Sequence, residues 1–219
     1  MRLHFKYFLY LILAASLSSA LAGSFDDWFV AIKRDDPQAV TELLKRGFDP
    51  NTVDPSGRQG LFMALQDGSV KVAEVLVASP KTNVEWRSRK DESPLMIAAL
   101  KGHTALVKKL IARDADVNKT GWAPLHYAAT AGNLEIMQIL LDENAYIDAE
   151  SPNKSTPLMV AAQYGSTQAV KLLLEAGADP TLRNELGLSA VEFALRGNRP
   201  DAAQLISAAI RSKQPKGKW

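Results

Sequence analysis

TPLMVAAQYGSTQAVKLLLEAGADPT, running from Thr156 to Thr181, decides how this chain folds, because the same phrase is written elsewhere in it. It returns as APLHYAATAGNLEIMQILLDENAYID from Ala123 and as SPLMIAALKGHTALVKKLIARDADVN from Ser93. A degenerate copy, SAVEFALRGNRPDAAQLISAAI, follows from Ser189, and Pro157 to Ala190 is 33 residues. Each position in the phrase has a physical reason. A Thr or Ser hydroxyl at 156 or 93 can cap a helix while Pro157 or Pro94 fills the first helical position, where a missing N–H costs nothing. Leu158, Ala161 and Ala162 give a first helix a small-residue face on which a neighbouring unit can stack closely. Gly102, Gly132 and Gly165 are expected to stop that helix in the left-handed conformation. A second helix follows, with apolar spacing at Ala169, Val170, Leu172, Leu173 and Leu174, and Gly177-Ala-Asp179 turns the chain into a projecting loop. A period near 33 built of helix, turn, helix and loop predicts an all-α solenoid, in which no unit can bury its apolar face alone.

Weaker copies extend the register outward. The stretch from Gly60 to Gly68, followed by Val72 to Val77, fits with Gly60 in the proline slot. Before it, Phe25 to Lys33 and Gln38 to Arg46 read as the helices of an N-terminal unit plugged by Trp28 and Phe29. The count is about six units: 24–56, 57–90, 91–120, 121–153, 154–186 and 187–210. The end units need a polar outer face, which Asp26, Asp27, Asp35 and Asp36 can supply at one end and Arg196, Asn198, Arg199 and Asp201 at the other. The phrase resembles the ankyrin repeat over about residues 24 to 210, most specifically in the three middle copies. That resemblance implies a protein that binds other proteins, in a family that rarely does chemistry.

The copies differ in loop length. Pro94 to Pro124 is 30 residues, so Lys119-Thr-Gly-Trp122 must form a shortened finger, whereas Gly60 to Pro94 is 34 and lengthens the loop from Pro80 to Lys90. Unequal fingers leave a step in the surface, where a partner is expected to sit. The family resemblance places partner contacts on finger tips and on the exposed ends of the first helices. Carried onto this chain, and weighted toward the aromatic and arginine residues that concentrate interface energy, the candidates are Trp86, Arg87, Arg89, Lys90, Trp122, Tyr164, Lys154 and Leu188. Tyr127 is assigned to the core. His103 and His126 fall where the family places histidines that hydrogen-bond between loops.

The N-terminus carries a second signal. Arg2 and Lys6 precede an apolar stretch from Tyr7 to Leu17, and Ser19-Ala-Leu-Ala22 offers an A-x-A site. Residues 1–22 are expected to be a secretory signal peptide cut between Ala22 and Gly23, which implies a periplasmic or secreted protein; an uncleaved anchor is the alternative, and only then would the membrane be touched. Zero cysteines in 219 residues excludes disulfides, thiolate metal sites and thiol catalysis.

From Gly23 onward the chain has 24 basic and 24 acidic residues, and from Gly23 to Ile210 it has 20 and 24. A slightly acidic repeat body lacks the stripe that nucleic acid demands. Residues 211–219, with Arg211, Lys213, Lys216 and Lys218, are expected to be a basic disordered tail. G-x-S-x-G, P-loop, G-x-G-x-x-G and H-E-x-x-H motifs are all missing, so no catalytic residue, metal site, cofactor or small-molecule substrate is nominated. The expectation is a monomeric, non-enzymatic protein-binding module, either a periplasmic adaptor or protective binder, or an inhibitor or immunity-type protein that blocks a toxin or hydrolase.

Overall fold

The computed structural model describes residues 23–213. The expected signal peptide and the end of the basic tail lie outside the described residues. Within them the chain forms twelve helices in six consecutive pairs, with no strand and two isolated β-bridges, Val53 to Gln59 and Arg183 to Ser189. None of the helices is long and apolar enough to cross a membrane. The chain divides into two compact units, one through Asn83 and one from Val84.

The first unit holds α1 (residues 23–33), α2 (Pro37–Lys45), α3 (Gly60–Asp67) and α4 (Val70–Ala78). Trp28 and Ile32 are fully buried, and the Trp28 ring stacks on Phe48 at 4.8 Å. Asp36 caps α2 by accepting from the Ala39 N–H at 3.0 Å. Packing explains why glycine stands in the proline slot at Gly60: a Cβ there would come within 3.0 Å of Ile32 Cδ1 and 3.1 Å of Trp28 Nε1.

The second unit holds α5 (Pro94–Lys101), α6 (Thr104–Ile111), α7 (Pro124–Ala131), α8 (Leu134–Asp142), α9 (Pro157–Tyr164), α10 (Thr167–Glu175), α11 (Ala190–Arg196) and α12 (Pro200–Lys213). The first helices α5, α7, α9 and α11 pack successively in an inner row, and α6, α8, α10 and α12 in an outer row. Small residues permit this approach: Ala98, Ala99, Ala128, Ala129, Ala161 and Ala162 have no exposed surface. The hydroxyls of Ser93 and Thr156 cap α5 and α9 as expected, accepting from Met96 and Met159 N–H at 3.2 and 3.4 Å. Ala123 has no hydroxyl to cap α7, and the imidazole of His126 reaches back instead to accept from the Ala123 N–H. α12 has 14 residues against nine in α10 and runs past Ile210 into the segment expected to be tail.

Gly102 and Gly132 end their helices at φ 76° and 67°, in the left-handed region expected. Gly165 does not. Its φ is −75°, and what demands glycine there is close approach, because a Cβ would strike the Ala129 carbonyl oxygen and lie 2.9 Å from that of Ala161.

One side-chain oxygen per unit ties each loop to the next. Asn51 Oδ1 accepts from the Asn83 N–H at 2.7 Å, Glu85 Oε1 from Asp116 at 2.9 Å, Asn118 Oδ1 from Tyr146 at 2.7 Å, and Asp148 Oδ1 from Asp179 at 3.1 Å. The sequence separations are 32, 31, 28 and 31 residues, so the shortened loop registers in the lattice as the three residues it lacks.

Candidate partner-binding surface

Four fingers close in the same way. In each, a short polar residue at the first position accepts from the N–H four residues on: Arg58 to Asp54 at 2.8 Å, Glu92 to Ser88 at 3.2 Å, Ser155 to Ser151 at 2.9 Å and Leu188 to Asn184 at 3.0 Å. A left-handed residue makes the turn, namely Gly57, Asp91, Lys154 and Gly187. Such closure leaves the side chains of the intervening residues free to face outward. The shortened finger at 119–122 departs from the pattern. Lys119 is 9% exposed, its Nζ donating to the Thr120 carbonyl at 2.7 Å and pairing with the Asp91 carboxylate of the preceding finger. A buried cation needs such partners.

The eight candidates therefore fall into different environments. Arg89 and Lys90 are exposed on the finger closed by Ser88, and Lys154 is exposed at the turn of the finger closed by Ser151. Arg87 is drawn inward. Its guanidinium pairs with Glu85 at 2.5 Å and lies 4.0 Å from Asp91, so carboxylates of its own finger already surround its charge. Trp86 is half-buried and engaged with its surroundings. The half-buried Trp122 sets its ring edge-to-face on His126 at 5.2 Å, which makes it part of the packing under the short finger. Tyr164, 57% exposed, ends α9, where the guanidinium of Arg199 donates to the Gln163 and Tyr164 carbonyls at 3.0 Å each. Leu188 is half-buried, its backbone occupied by the closure on Asn184.

The histidines take different roles. His126 is fully buried, with Nδ1 accepting from Ala123 and Nε2 3.0 Å from the Ser155 carbonyl. His103 is half-buried, and its Nε2 has no hydrogen-bond partner. Tyr127 is half-buried, and its hydroxyl donates to Glu92 Oε1 at 3.3 Å. Burial and the Glu92 charge push its phenol far up, so it stays a donor and braces the long finger from below. Among the exposed large side chains that the sequence reading did not single out are Tyr146, 68% exposed, and Leu195, 60% exposed. Tyr146 carried no signal. Leu195 did, since it stands where the other copies of the phrase in this unit have alanine.

A stack of paired helices with projecting, self-closed fingers defines a repeat scaffold that recognises through its surface. A family model described as ankyrin repeats in three copies matches residues 28–120, 78–151, 95–184 and 144–214. The chain belongs to the ankyrin-repeat family, whose repeats form protein–protein interaction modules. It is 29% identical over 171 residues to the nuclear factor NF-kappa-B p105 subunit of Gallus gallus, covering 75% of this chain and 17% of that protein. Over 128 residues it is 37% identical to ankyrin repeat and SAM domain-containing protein 6 of Mus musculus, covering 56% and 14%. It is also 26% identical over 172 residues to an ankyrin repeat-containing protein of Treponema pallidum (strain Nichols), covering 77% and 55%. The chain thus spans only a small part of the first two relatives and about half of the third.

Proposed function

We propose that this chain is a non-enzymatic adaptor or protective binder of another protein, exported by residues 1–22 and acting in the periplasm or outside the cell. The observation that carries the binding reading is the set of side chains the fold leaves unused. Arg89, Lys90 and Lys154 project from fingers that close without them, on a body with more acidic than basic residues, and Tyr164 adds an exposed aromatic surface at the end of α9. A partner suited to these groups presents carboxylates around an apolar contact, the aromatic supplying affinity and the cations orientation and on-rate.

The test is cross-linking capture from the native envelope fraction, followed by calorimetry with the identified partner. Arg89→Ala with Lys90→Ala, and separately Tyr164→Ala, should weaken binding about tenfold, roughly 1.4 kcal/mol. Lys108→Ala and Gln138→Ala on the outer helices should change little. The opposite ranking would remove the fingers from the binding surface.

A further inference from the structure

We infer that the open face of α11 pairs with the α11 of a second copy of this chain, in an antiparallel, two-fold contact that continues the packing between units. Comparison of α11 with the inner helices before it shows which positions lose their cover at the last pair. The second, third and sixth residues of α5, α7 and α9 are buried throughout: Leu95, Met96 and Ala99; Leu125, His126 and Ala129; Leu158, Met159 and Ala162, none more than 1% exposed. The same positions of α11 are Val191, Glu192 and Leu195: Leu195 is 60% exposed, Val191 is half-buried, and Glu192, which accepts from the Ser189 N–H at 2.7 Å and lies 3.8 Å from Arg183, keeps its side chain 42% exposed. The first, fourth and fifth residues, Ala190, Phe193 and Ala194, stay buried, on a helix that packs against α9 and α12. What α11 exposes is therefore the surface that accepts another inner helix elsewhere in this unit, and a leucine fills the slot that alanine occupies in the other three.

The occupant follows from the order of residues on that face. Val191 and Leu195 lie one helical turn apart, and so do Glu192 and the exposed Arg196, giving two parallel stripes, one apolar and one charged. Turned end for end, the same surface is its own complement. Val191 of one copy meets Leu195 of the other, and Glu192 meets Arg196, twice over. A two-fold contact requires such self-complementarity, in which each residue's partner is supplied by the same patch on the other subunit. A parallel two-fold arrangement would instead lay the charged stripe of one copy on the apolar stripe of the other. Because a single helix face makes a small interface, the pair is weak and concentration-dependent rather than obligate.

Sedimentation equilibrium of the chain from Gly23 onward, tail included, tests this over roughly 10 to 200 µM, the range in which interfaces of this size associate. The expected result is a reversible monomer–dimer equilibrium. Leu195→Glu should raise the dimer dissociation constant at least about tenfold, and Arg196→Glu, which sets like charges opposite Glu192, about threefold or more. Removal of residues 214–219 and Lys171→Glu on the outer row should leave the constant unchanged. If Leu195→Glu alters the circular dichroism spectrum, Arg196→Glu, at an exposed position, decides alone. A monomer throughout the range, a dimer indifferent to both substitutions, or a dimer that forms only once residues 214–219 are removed would each overturn the proposal, the last by showing that the chain's own tail covers α11.

Discussion

His126 donates its Nε2 hydrogen to the Ser155 carbonyl across 3.0 Å, reaching from a buried helix to the foot of the next finger. The tautomer is determined by the other nitrogen, since Nδ1 accepts from the Ala123 N–H at 3.1 Å and so carries no hydrogen. One neutral ring thus caps α7 and anchors the finger closed by Ser151.

Neutrality makes that joint sensitive to acid. Burial holds the His126 imidazole below its usual value of 6.5, and the hydrogen bond donated to the Ser155 carbonyl offsets this only in part. His103 is shifted the same way by burial and by the Lys101 charge. As pH falls through about 6.5, the unfolded chain takes up protons that the folded chain refuses, so stability is full above that pH and declines toward the depressed folded values. Urea melts at pH 7.5, 6.5 and 5.5 should show the decline, at no more than about 1.4 kcal/mol per pH unit for each proton. His126→Met, which copies Met96 and Met159 in the equivalent slot, should flatten the slope while keeping the fold. An unchanged slope would mean the ring is not the responsible group.

Leu173 is fully buried in α10, a helix that packs on α8 and α12 in the outer row and on α9. Leu173→Ala should cost about 2 to 5 kcal/mol in a denaturant melt, a range set by core truncations that leave a cavity. A loss under about 0.5 kcal/mol would place it outside the stack.

Lys154 makes its turn at φ 59°, where Gly57 and Gly187 serve two of the other fingers. A side chain in the left-handed region costs roughly 1 to 2 kcal/mol, offset in part by glycine's greater unfolded entropy. Lys154→Gly should therefore stabilise the repeats by a few tenths to about 1 kcal/mol. Gly165→Ala should act in the other direction and more strongly, because Ala129 and Ala161 supply backbone rather than a movable side chain. Paired thermal melts read both signs.

Export is checked by mass. Protein recovered from its native host should begin at Gly23, as the charged start, apolar run and A-x-A site require. A species retaining Met1 in the membrane fraction would establish the anchor instead.

The repeat made the architecture legible because every copy states the same physics: a cap, a proline, two alanines, a glycine, an apolar second helix. The surface was less legible because its chemistry depends on neighbours about thirty residues away. Lys119 reads as a solvated tip charge in a loop of Lys, Thr and Gly, yet the loop's shortness folds it under the turn against Asp91. Arg87 reads as a free anchor, but Glu85 and Asp91 claim it from both sides. Gly165 occupies the same slot as Gly102 and Gly132 while answering a different demand, proximity rather than dihedral angle. Trp122 ranked beside Tyr164 by residue type, and only the position of the His126 ring distinguishes the packed aromatic from the exposed one.

The closure of each finger on its own first residue bears on how such a protein diversifies. At Arg89 and Lys90, at Lys154, and at Glu185 and Leu186, side chains can change without disturbing a cap, a stack or the oxygen that ties one loop to the next. Those sites form a variable alphabet on an invariant frame, and a lineage could exchange one partner for another by drifting there. The finger at 119–122 lacks that freedom, since its lysine is internal, and it would persist as a fixed mark in otherwise diverging descendants.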